Sequence, residues 1–181
     1  MIAPSPGLTL RSHAMQLDRP PVLPPKGPYA PLPKDLPPIA FGRPAAAVAL
    51  AGARVLVVED DEDSRQLICM LLEMAGATVL CTESVAKAMD GVYHSFDPDV
   101  VLTDFSMPDA DGLDLIREFR KVPSVRAVAA PILILSGHSE DDWRARVLAA
   151  GAADVLSKPF DPAILIARIA AAVASGRSGR H

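Results

Sequence analysis

A short apolar run that ends in a single carboxylate constrains this chain more than any other feature. The residues Val-Val-Leu at positions 100–102 are followed by Thr103 and Asp104, with a Pro and a Gly within the next eight residues. The run is too apolar for a surface loop and too short for a helix, which indicates a buried strand of a parallel sheet. Asp104 would then lie at the carboxyl end of the strand, where open α/β sheets place their ligands. The alternative is that Asp104 only begins a turn.

The chain around this run alternates between strand-like and helix-like segments. Strands are predicted at residues 54–58, 77–81, 99–103, 132–135 and 153–156, and helices at residues 64–75, 84–94, 111–121, 139–150 and 162–174. Five βα units imply an α/β fold in which helices cover both faces of a parallel sheet. The flavodoxin-like strand order 2-1-3-4-5 fits this count, so we predict a (βα)5 three-layer sandwich with a five-stranded parallel sheet.

The first and fourth predicted helices carry signals for their ends and faces. Asp63 or Ser64 is expected to cap the first helix, Gly76 to end it, and Ser139 to cap the fourth. The face of the first helix that is predicted to be buried comprises Leu67, Ile68, Leu71, Leu72 and Ala75.

The N-terminal segment, residues 1–52, differs in composition from the rest of the chain. Its first 44 residues hold twelve of the eighteen prolines. Proline lacks the N–H that helices and sheets require, so this segment is predicted to be a disordered or polyproline-like arm. It would be either a docking tail for a partner or a passive leader. The folded domain is predicted to span residues 53–175, followed by a polar tail at residues 176–181.

The charge, the lengths of the apolar runs and the cysteine spacing argue against several classes of protein. Residues 54–181 carry thirteen Lys and Arg against twenty Asp and Glu, which argues against a nucleic-acid binder. No apolar run is long enough to cross a membrane and no secretory signal is evident, so we expect no membrane partner and a cytoplasmic location. Cys69 and Cys81 lack CxxC spacing and are predicted to be separate, buried and inert thiols.

Acidic residues follow the first strand as well as the third. Glu59 and Asp60 should meet Asp104, because strands 1 and 3 are neighbours in the predicted order and the carboxyl ends of parallel strands share one edge. Three close carboxylates repel one another, and a divalent hard cation such as Mg²⁺ compensates for that repulsion. No His/Cys cluster selects zinc. The alternative is that Glu59, Asp60 and Asp61 form a solvated acidic turn.

A hydroxyl and a cation complete the same predicted edge. Ser136 ends the fourth strand and Lys158 follows the fifth. The set suits a phosphoryl group on Asp104, with Asp104 as the nucleophile and Lys158 and a metal neutralising the phosphoryl oxygens. Ser136 would donate a hydrogen bond to one of those oxygens. Without a phosphoryl group, Lys158 can pair with Asp104 instead.

The chain resembles the receiver domain of two-component response regulators, which has the chemotaxis-regulator-like fold. Four motifs carry the resemblance, in this order: VLVVEDDEDSR, VVLTDFSMPDADGLDL, PILILSG and ADVLSKPF. The resemblance covers about residues 53–175. It implies Mg²⁺-dependent acceptance of a phosphoryl group from a histidine kinase or a histidine phosphotransfer protein. By motif match, Asp104 is the phospho-acceptor and Asp60 a direct metal ligand. Glu59 acts through water, and Ser106 offers its backbone carbonyl to the metal.

The resemblance also implies a switch hydroxyl at Ser136, the family's lysine at Lys158 and a cis peptide before Pro159. Three residues before the lysine, Val155 replaces the aromatic side chain that is usual in the family, so an aromatic switch is excluded there. Ser106 and His138 lie two residues beyond the acceptor and the switch hydroxyl, where side chains border the path of the attacking water.

The expected function is that of a single-domain response regulator that signals by phosphorylation-dependent binding to a downstream target protein. No helix-turn-helix pattern follows residue 175. We expect no enzyme activity beyond its own phosphorylation and dephosphorylation. An aspartyl-phosphate phosphohydrolase needs a second Asp where this chain has Ser106. The other alternative is a degenerate receiver that binds partners independently of phosphorylation.

Overall fold

Residues 49–108, 110–137 and 141–178 are described by the structure, a computed structural model of the chain. The predicted arm, apart from its last four residues, lies outside the described part, as does the predicted tail from residue 179 onward. His138 and the predicted cap Ser139 also lie outside it.

Strands and helices alternate as the sequence predicts. The strands are β1 (Arg54–Val58), β2 (Thr78–Thr82), β3 (Val100–Asp104), β4 (Ile132–Ser136) and β5 (Asp154–Ser157). The helices are α1 (Glu62–Met74), α2 (Val85–Tyr93), α3 (Gly112–Phe119), α4 (Val125–Val128), α5 (Asp141–Ala149) and α6 (Pro162–Ser178). All strand pairs are parallel, in the order β2-β1-β3-β4-β5. The predicted fold class and strand order are confirmed.

The sheet is buried between two apolar layers, because successive strand residues point to opposite faces. Val55 and Val57 of β1 join the layer that holds the buried residues of α1 and α6. Leu56 and Val58 of the same strand join the layer formed with α2, α3 and α5. This arrangement confirms the three-layer sandwich, and it explains why β1, β3 and β4 are almost entirely buried and mostly apolar.

Several element boundaries differ from the predictions. The N-cap of α1 is Asp61, whose side chain accepts the N–H of Ser64 at 2.8 Å, so the helix begins two residues earlier than predicted. The short helix α4 lies between α3 and β4, where the sequence predicts neither a helix nor a strand. Helix α6 extends to Ser178, four residues past its predicted end, so the first residues of the predicted polar tail are helical.

One face of α1 is more exposed than predicted. Ile68 and Leu72 are fully buried, but Leu67 is 47% exposed. With 3.6 residues per turn, Leu67 lies about 100° around the helix from Ile68 and away from the sheet. Met70 and Met74 are 51% and 67% exposed, one and two turns further along. Together with Leu67 they form an exposed apolar stripe, called the α1 stripe below.

The cysteine prediction is wrong. Cys69 on α1 and Cys81 on β2 form a disulfide with a Cα–Cα distance of 6.5 Å. Cys69 is buried as predicted, but Cys81 is exposed. The pairing arises because the buried face of α1 packs against the edge strand β2, a tertiary contact that sequence spacing does not reveal.

A membrane-crossing helix is not found within the described ranges, where the helices are too short or too polar for that role.

Candidate functional site

The predicted site residues meet at one edge of the sheet. Glu59 and Asp60 directly follow β1, and Asp104 is the last residue of β3. Ser136 ends β4, and Lys158 comes directly after β5. Because all strands run in parallel, these ends lie on the same side, and the strand order reverses between β1 and β3, where open α/β sheets bind their ligands.

The three predicted carboxylates form one cluster. One oxygen from each of Glu59, Asp60 and Asp104 lies within 4.8 Å of the others. Glu59 is 1% exposed and Asp104 is 7% exposed, so two of the three are withdrawn from water. The solvated-turn alternative fits only Asp61, which is exposed and caps α1. Among the residues that the structure describes, the cluster consists of carboxylates alone, and such hard oxygen donors fit a Mg²⁺ ion.

Lys158 pairs with two of these acids. Its Nζ lies 2.8 Å from Oε2 of Glu59 and 2.7 Å from Oδ1 of Asp104. The N–H of Lys158 also donates to the carbonyl of Ser136 at 2.7 Å, which joins the ends of β4 and β5. The Lys158–Pro159 peptide bond is cis, as the resemblance implies. Lys158 therefore pairs with two of the three clustered acids.

The surroundings of Glu59 and Lys158 shift the pKa values of both side chains. Burial raises the pKa of Glu59 above its usual 4.5, and the negative charges of Asp104 and Asp60 add to this rise, while the hydrogen bond and charge of Lys158 oppose it. Burial acts to lower the pKa of Lys158, but its hydrogen bonds to Asp104 and Glu59 outweigh that effect. The pKa of Lys158 is therefore raised above 10.5, and the side chain stays cationic.

Backbone groups hold Asp104 in place. Its Oδ2 accepts the N–H of Ser106 at 3.0 Å, while its Oδ1 faces Lys158. Gly112, at the start of α3, packs against this strand end. A Cβ there would lie 3.4 Å from the carbonyl oxygen of Asp104 and 3.2 Å from a methyl group of Ile134. The absence of a side chain at position 112 thus lets α3 approach the end of β3.

Two residues that the sequence analysis missed hold the backbone of Glu59 and Asp60. Glu59, Asp60 and Asp104 are called the acid cluster below. Nη1 of Arg65 donates to the carbonyls of Glu59 at 2.8 Å and Asp60 at 3.1 Å. Thr82 accepts the N–H of Glu59 at 3.1 Å. A cation near a helix N-terminus is unfavourable for the helix dipole, so the position of Arg65 as the fourth residue of α1 was an available signal. Thr82 offered none, because its role depends on strand register.

The position of the missing aromatic is buried and bordered by an arginine. Val155 is 6% exposed, and Arg144 from α5 donates a hydrogen bond to its carbonyl oxygen. Arg144 also pairs with Asp154 at 2.7 Å, and Arg168 of α6 pairs with the other oxygen of Asp154 at 3.2 Å. Ion pairs therefore tie α5 and α6 to β5 where the family usually has an aromatic ring.

A pair of aromatic rings lies next to Asp104. Trp143, the chain's single tryptophan, makes an edge-to-face contact with Phe105 at a centroid distance of 4.8 Å. Phe105 directly follows Asp104, so one packed ring lies between the indole and the end of β3.

A family model described as "Response regulator receiver domain" matches residues 55–170. The cell cycle transcriptional regulator CtrA of Caulobacter vibrioides is 38% identical over 120 residues, which are 66% of this chain and 50% of CtrA. The chain thus spans about half the length of this curated relative.

Solved structures show the same likeness. A response regulator receiver domain protein from Clostridium thermocellum is 31% identical, with a TM-score of 0.60 over 70% of this chain and 97% of that one. The chemotaxis response regulator CheY4 of Vibrio cholerae is 27% identical, with a TM-score of 0.60 over 66% of this chain and 98% of that one.

Proposed function

The chain belongs to the response regulator receiver domain family, and from this premise we propose that Asp104 accepts a phosphoryl group in a Mg²⁺-dependent reaction. The donor is a histidine kinase or a histidine phosphotransfer protein, and the phosphorylated chain signals by binding a downstream target protein. The observation that carries the proposal is the position of Asp104. It ends a buried strand, lies within 4.8 Å of two further acids, and is paired with Lys158.

Asp104 is the nucleophile of the proposed reaction. A carboxylate oxygen forms a bond to phosphorus while the bond between phosphorus and the donor's histidine nitrogen breaks. Lys158, already 2.7 Å from the carboxylate, shifts its ion pair to a phosphoryl oxygen as charge moves outward. Ser136 follows Leu135, the register partner of Asp104 on the adjacent strand, and its hydroxyl donates to a second phosphoryl oxygen.

The acid cluster is the proposed metal site. Asp60 and Asp104 would supply carboxylate oxygens to the ion, Ser106 would supply its backbone carbonyl, and Glu59 would act through water. When bound, Mg²⁺ neutralises the acids and the phosphoryl oxygens, which phosphoryl transfer requires. The hydrogen bonds from Arg65 hold the backbone carbonyls of Glu59 and Asp60, and so the turn from which both side chains extend.

The α1 stripe is the proposed docking surface for the phosphodonor. Asp61, the N-cap of α1, follows directly on the acid cluster, so the helix leads away from the site where the donor's histidine must arrive. Leu67, Met70 and Met74 leave about half or more of their surfaces exposed along that helix. An amphipathic helix of the donor could bury these side chains while its histidine faces Asp104. The surface of α5, β5 and α6 is then left for the downstream target.

One alternative function uses the receiver fold without phosphorylation of Asp104. A receiver that binds partners independently of phosphorylation is favoured by Val155, since no aromatic ring can report on Asp104 there. Retention of the acid cluster and of Lys158 favours phosphorylation instead, because close carboxylates are costly without a function that requires them. Self-phosphorylation and self-dephosphorylation remain the only reactions proposed, since Ser106 stands where a phosphohydrolase would need an acid.

Binding of a phosphoryl mimic tests the proposal. Beryllium trifluoride should bind Asp104 in the presence of Mg²⁺ and change the fluorescence of Trp143 through Phe105. Asp104→Asn should abolish the change, and Asp90→Asn, on the exposed surface of α2, should leave it intact. A Mg²⁺-dependent change of equal size in the Asp104→Asn variant would refute the assignment of the acceptor.

A further inference from the structure

The disulfide joins two cysteines that differ greatly in solvent exposure. Cys69 lies on the buried face of α1 and is 8% exposed, whereas Cys81 is exposed on β2, an edge strand of the sheet. Their Cα atoms are 6.5 Å apart, within the range that a disulfide spans without backbone movement. They are the only cysteines of the chain.

We propose that Cys69 and Cys81 are a reversible redox modification site for small thiols and disulfides of the glutathione class. Thiol–disulfide exchange requires an attacking sulfur to approach its target directly, so access decides which sulfur reacts first. In the sheet that the structure describes, the strand of Cys81 is an edge strand, and Cys81 is exposed. Cys69 lies among core residues and reacts only with Cys81. The proposal does not depend on phosphoryl transfer.

Closure of the disulfide proceeds in two balanced exchanges. The thiolate of Cys81 attacks one sulfur of glutathione disulfide, forming a mixed disulfide and releasing one glutathione thiolate. The thiolate of Cys69 then attacks the sulfur of Cys81, closing the protein disulfide and releasing the second glutathione thiolate. The two thiol protons pass to the two glutathiones, so two cysteines are oxidised by two electrons and one glutathione disulfide is reduced. Excess glutathione reverses both steps.

The redox site is connected to the acid cluster through one residue. Thr82 directly follows Cys81, and its carbonyl accepts the N–H of Glu59 at 3.1 Å. Its hydroxyl donates to the carbonyl of Val57 at 3.1 Å, and its side chain is buried. The disulfide ties this end of β2 to α1. Opening the disulfide removes that tie beside the hydrogen bond that holds the backbone of Glu59.

The first test follows the thiols by intact mass. Wild type that is first reduced and then equilibrated with glutathione disulfide should lose the mass of two hydrogens and regain it with excess glutathione. Cys69→Ala should accumulate one glutathionyl group on Cys81, because the second exchange is blocked. Cys81→Ala is the matched control and should stay unmodified while folded. Equal glutathionylation of the two variants, or a wild type that stays reduced, would overturn the proposal.

Alkylation of the reduced wild type provides the same information without a substitution. A pulse of iodoacetamide on the folded chain should modify Cys81 at least tenfold faster than Cys69, as read by peptide mapping. Equal rates would contradict the assigned order of attack.

The second test measures the connection to the acid cluster. Hydrogen exchange of the Glu59 amide in metal-free, folded protein should be at least threefold faster in the reduced chain than in the oxidised chain. The amide of Ala153, which donates to Ile132 on the opposite side of the sheet, is the internal control and should not change. Identical exchange at Glu59 in the two forms would show that the disulfide does not reach the site. These readouts need neither metal nor phosphodonor, so failure of the proposed phosphorylation would leave them interpretable.

Discussion

The ammonium of Lys158 lies 2.7 Å from Oδ1 of Asp104, so a cation that follows β5 neutralises the carboxylate that ends β3. The same ammonium lies 2.8 Å from Glu59. In the absence of a metal ion, these two contacts are what offsets the repulsion among the clustered acids. The occupancy of the site and the stability of the fold are therefore linked, and each can be used to measure the other.

Removal of the cation should destabilise the metal-free chain. Lys158→Met leaves Glu59 and Asp104 buried without a counter-charge, which should lower the free energy of unfolding by about 3 kcal/mol. Urea denaturation in the presence of a chelator measures the loss. Lys121→Met, which removes an exposed partner of Glu118, should cost at most about 0.5 kcal/mol. Equal stability of Lys158→Met and wild type would contradict the role assigned to Lys158.

Magnesium should stabilise the fold through the acid cluster. At about ten times its dissociation constant, Mg²⁺ should raise the free energy of unfolding by about 1.4 kcal/mol. Asp60→Asn removes one proposed ligand and should shift the required Mg²⁺ concentration upward. The surface variant Asp90→Asn should respond like wild type. Thermal denaturation over a series of Mg²⁺ concentrations gives the comparison. A melting temperature that does not change with Mg²⁺ concentration would argue against a metal site here.

The raised pKa of Glu59 predicts a pH effect with a definite sign. The folded chain holds this proton to a higher pH than the unfolded chain, where the value is near 4.5. As pH rises through the folded pKa, ionisation of Glu59 therefore lowers the free energy of unfolding of metal-free protein. Glu59→Gln lacks this loss, so its stability relative to wild type should increase as pH rises above 4.5.

Denaturant titrations at several pH values, with a chelator present, measure that difference. Glu62→Gln, a change at an exposed position in the first turn of α1, serves as the control for removing one carboxylate. Parallel stability curves for Glu59→Gln and wild type across this range would mean that the pKa of Glu59 is not raised.

The ion pairs beside Val155 should contribute to stability. Asp154 is 2% exposed and accepts hydrogen bonds from Arg144, Arg168 and the N–H of Val155. Arg144→Ala leaves this buried acid with fewer donors and should cost about 1–3 kcal/mol. Arg146→Ala, at an exposed position of the same helix, should be close to neutral. Chemical denaturation distinguishes the two, and equal small losses would show that the Arg144 pair is not stabilising.

The buried strands were predictable because their patterns are strong and local. The apolar run before Asp104 needed no knowledge of its neighbours to be assigned as a strand, and its end is one residue from the prediction. Parallel pairing then brought Glu59 and Asp104 to one edge without further information. The acid cluster therefore follows from residue types at strand ends and from strand order.

The errors arose where tertiary contacts decide. Leu67 has the apolar side chain of a typical core residue, but its exposure depends on which side of α1 packs against the sheet. The pairing of Cys69 with Cys81 depends on the packing of α1 against β2. The hydrogen bond of Arg144 to the carbonyl of Val155 leaves no trace in residue spacing. The position of Arg65 near the start of α1 is a signal, but it does not identify the carbonyls that Arg65 contacts.

The most direct test of the central claim is the intact mass of the chain after incubation with acetyl phosphate. We predict one added phosphoryl group that requires Mg²⁺, is absent in Asp104→Asn, and is present in Asp90→Asn. Rapid acid quenching preserves the acyl phosphate, and the Lys158→Met variant should acquire it far more slowly. A phosphoryl group that still appears on Asp104→Asn, or wild type that neither gains mass nor binds beryllium trifluoride, would contradict the account.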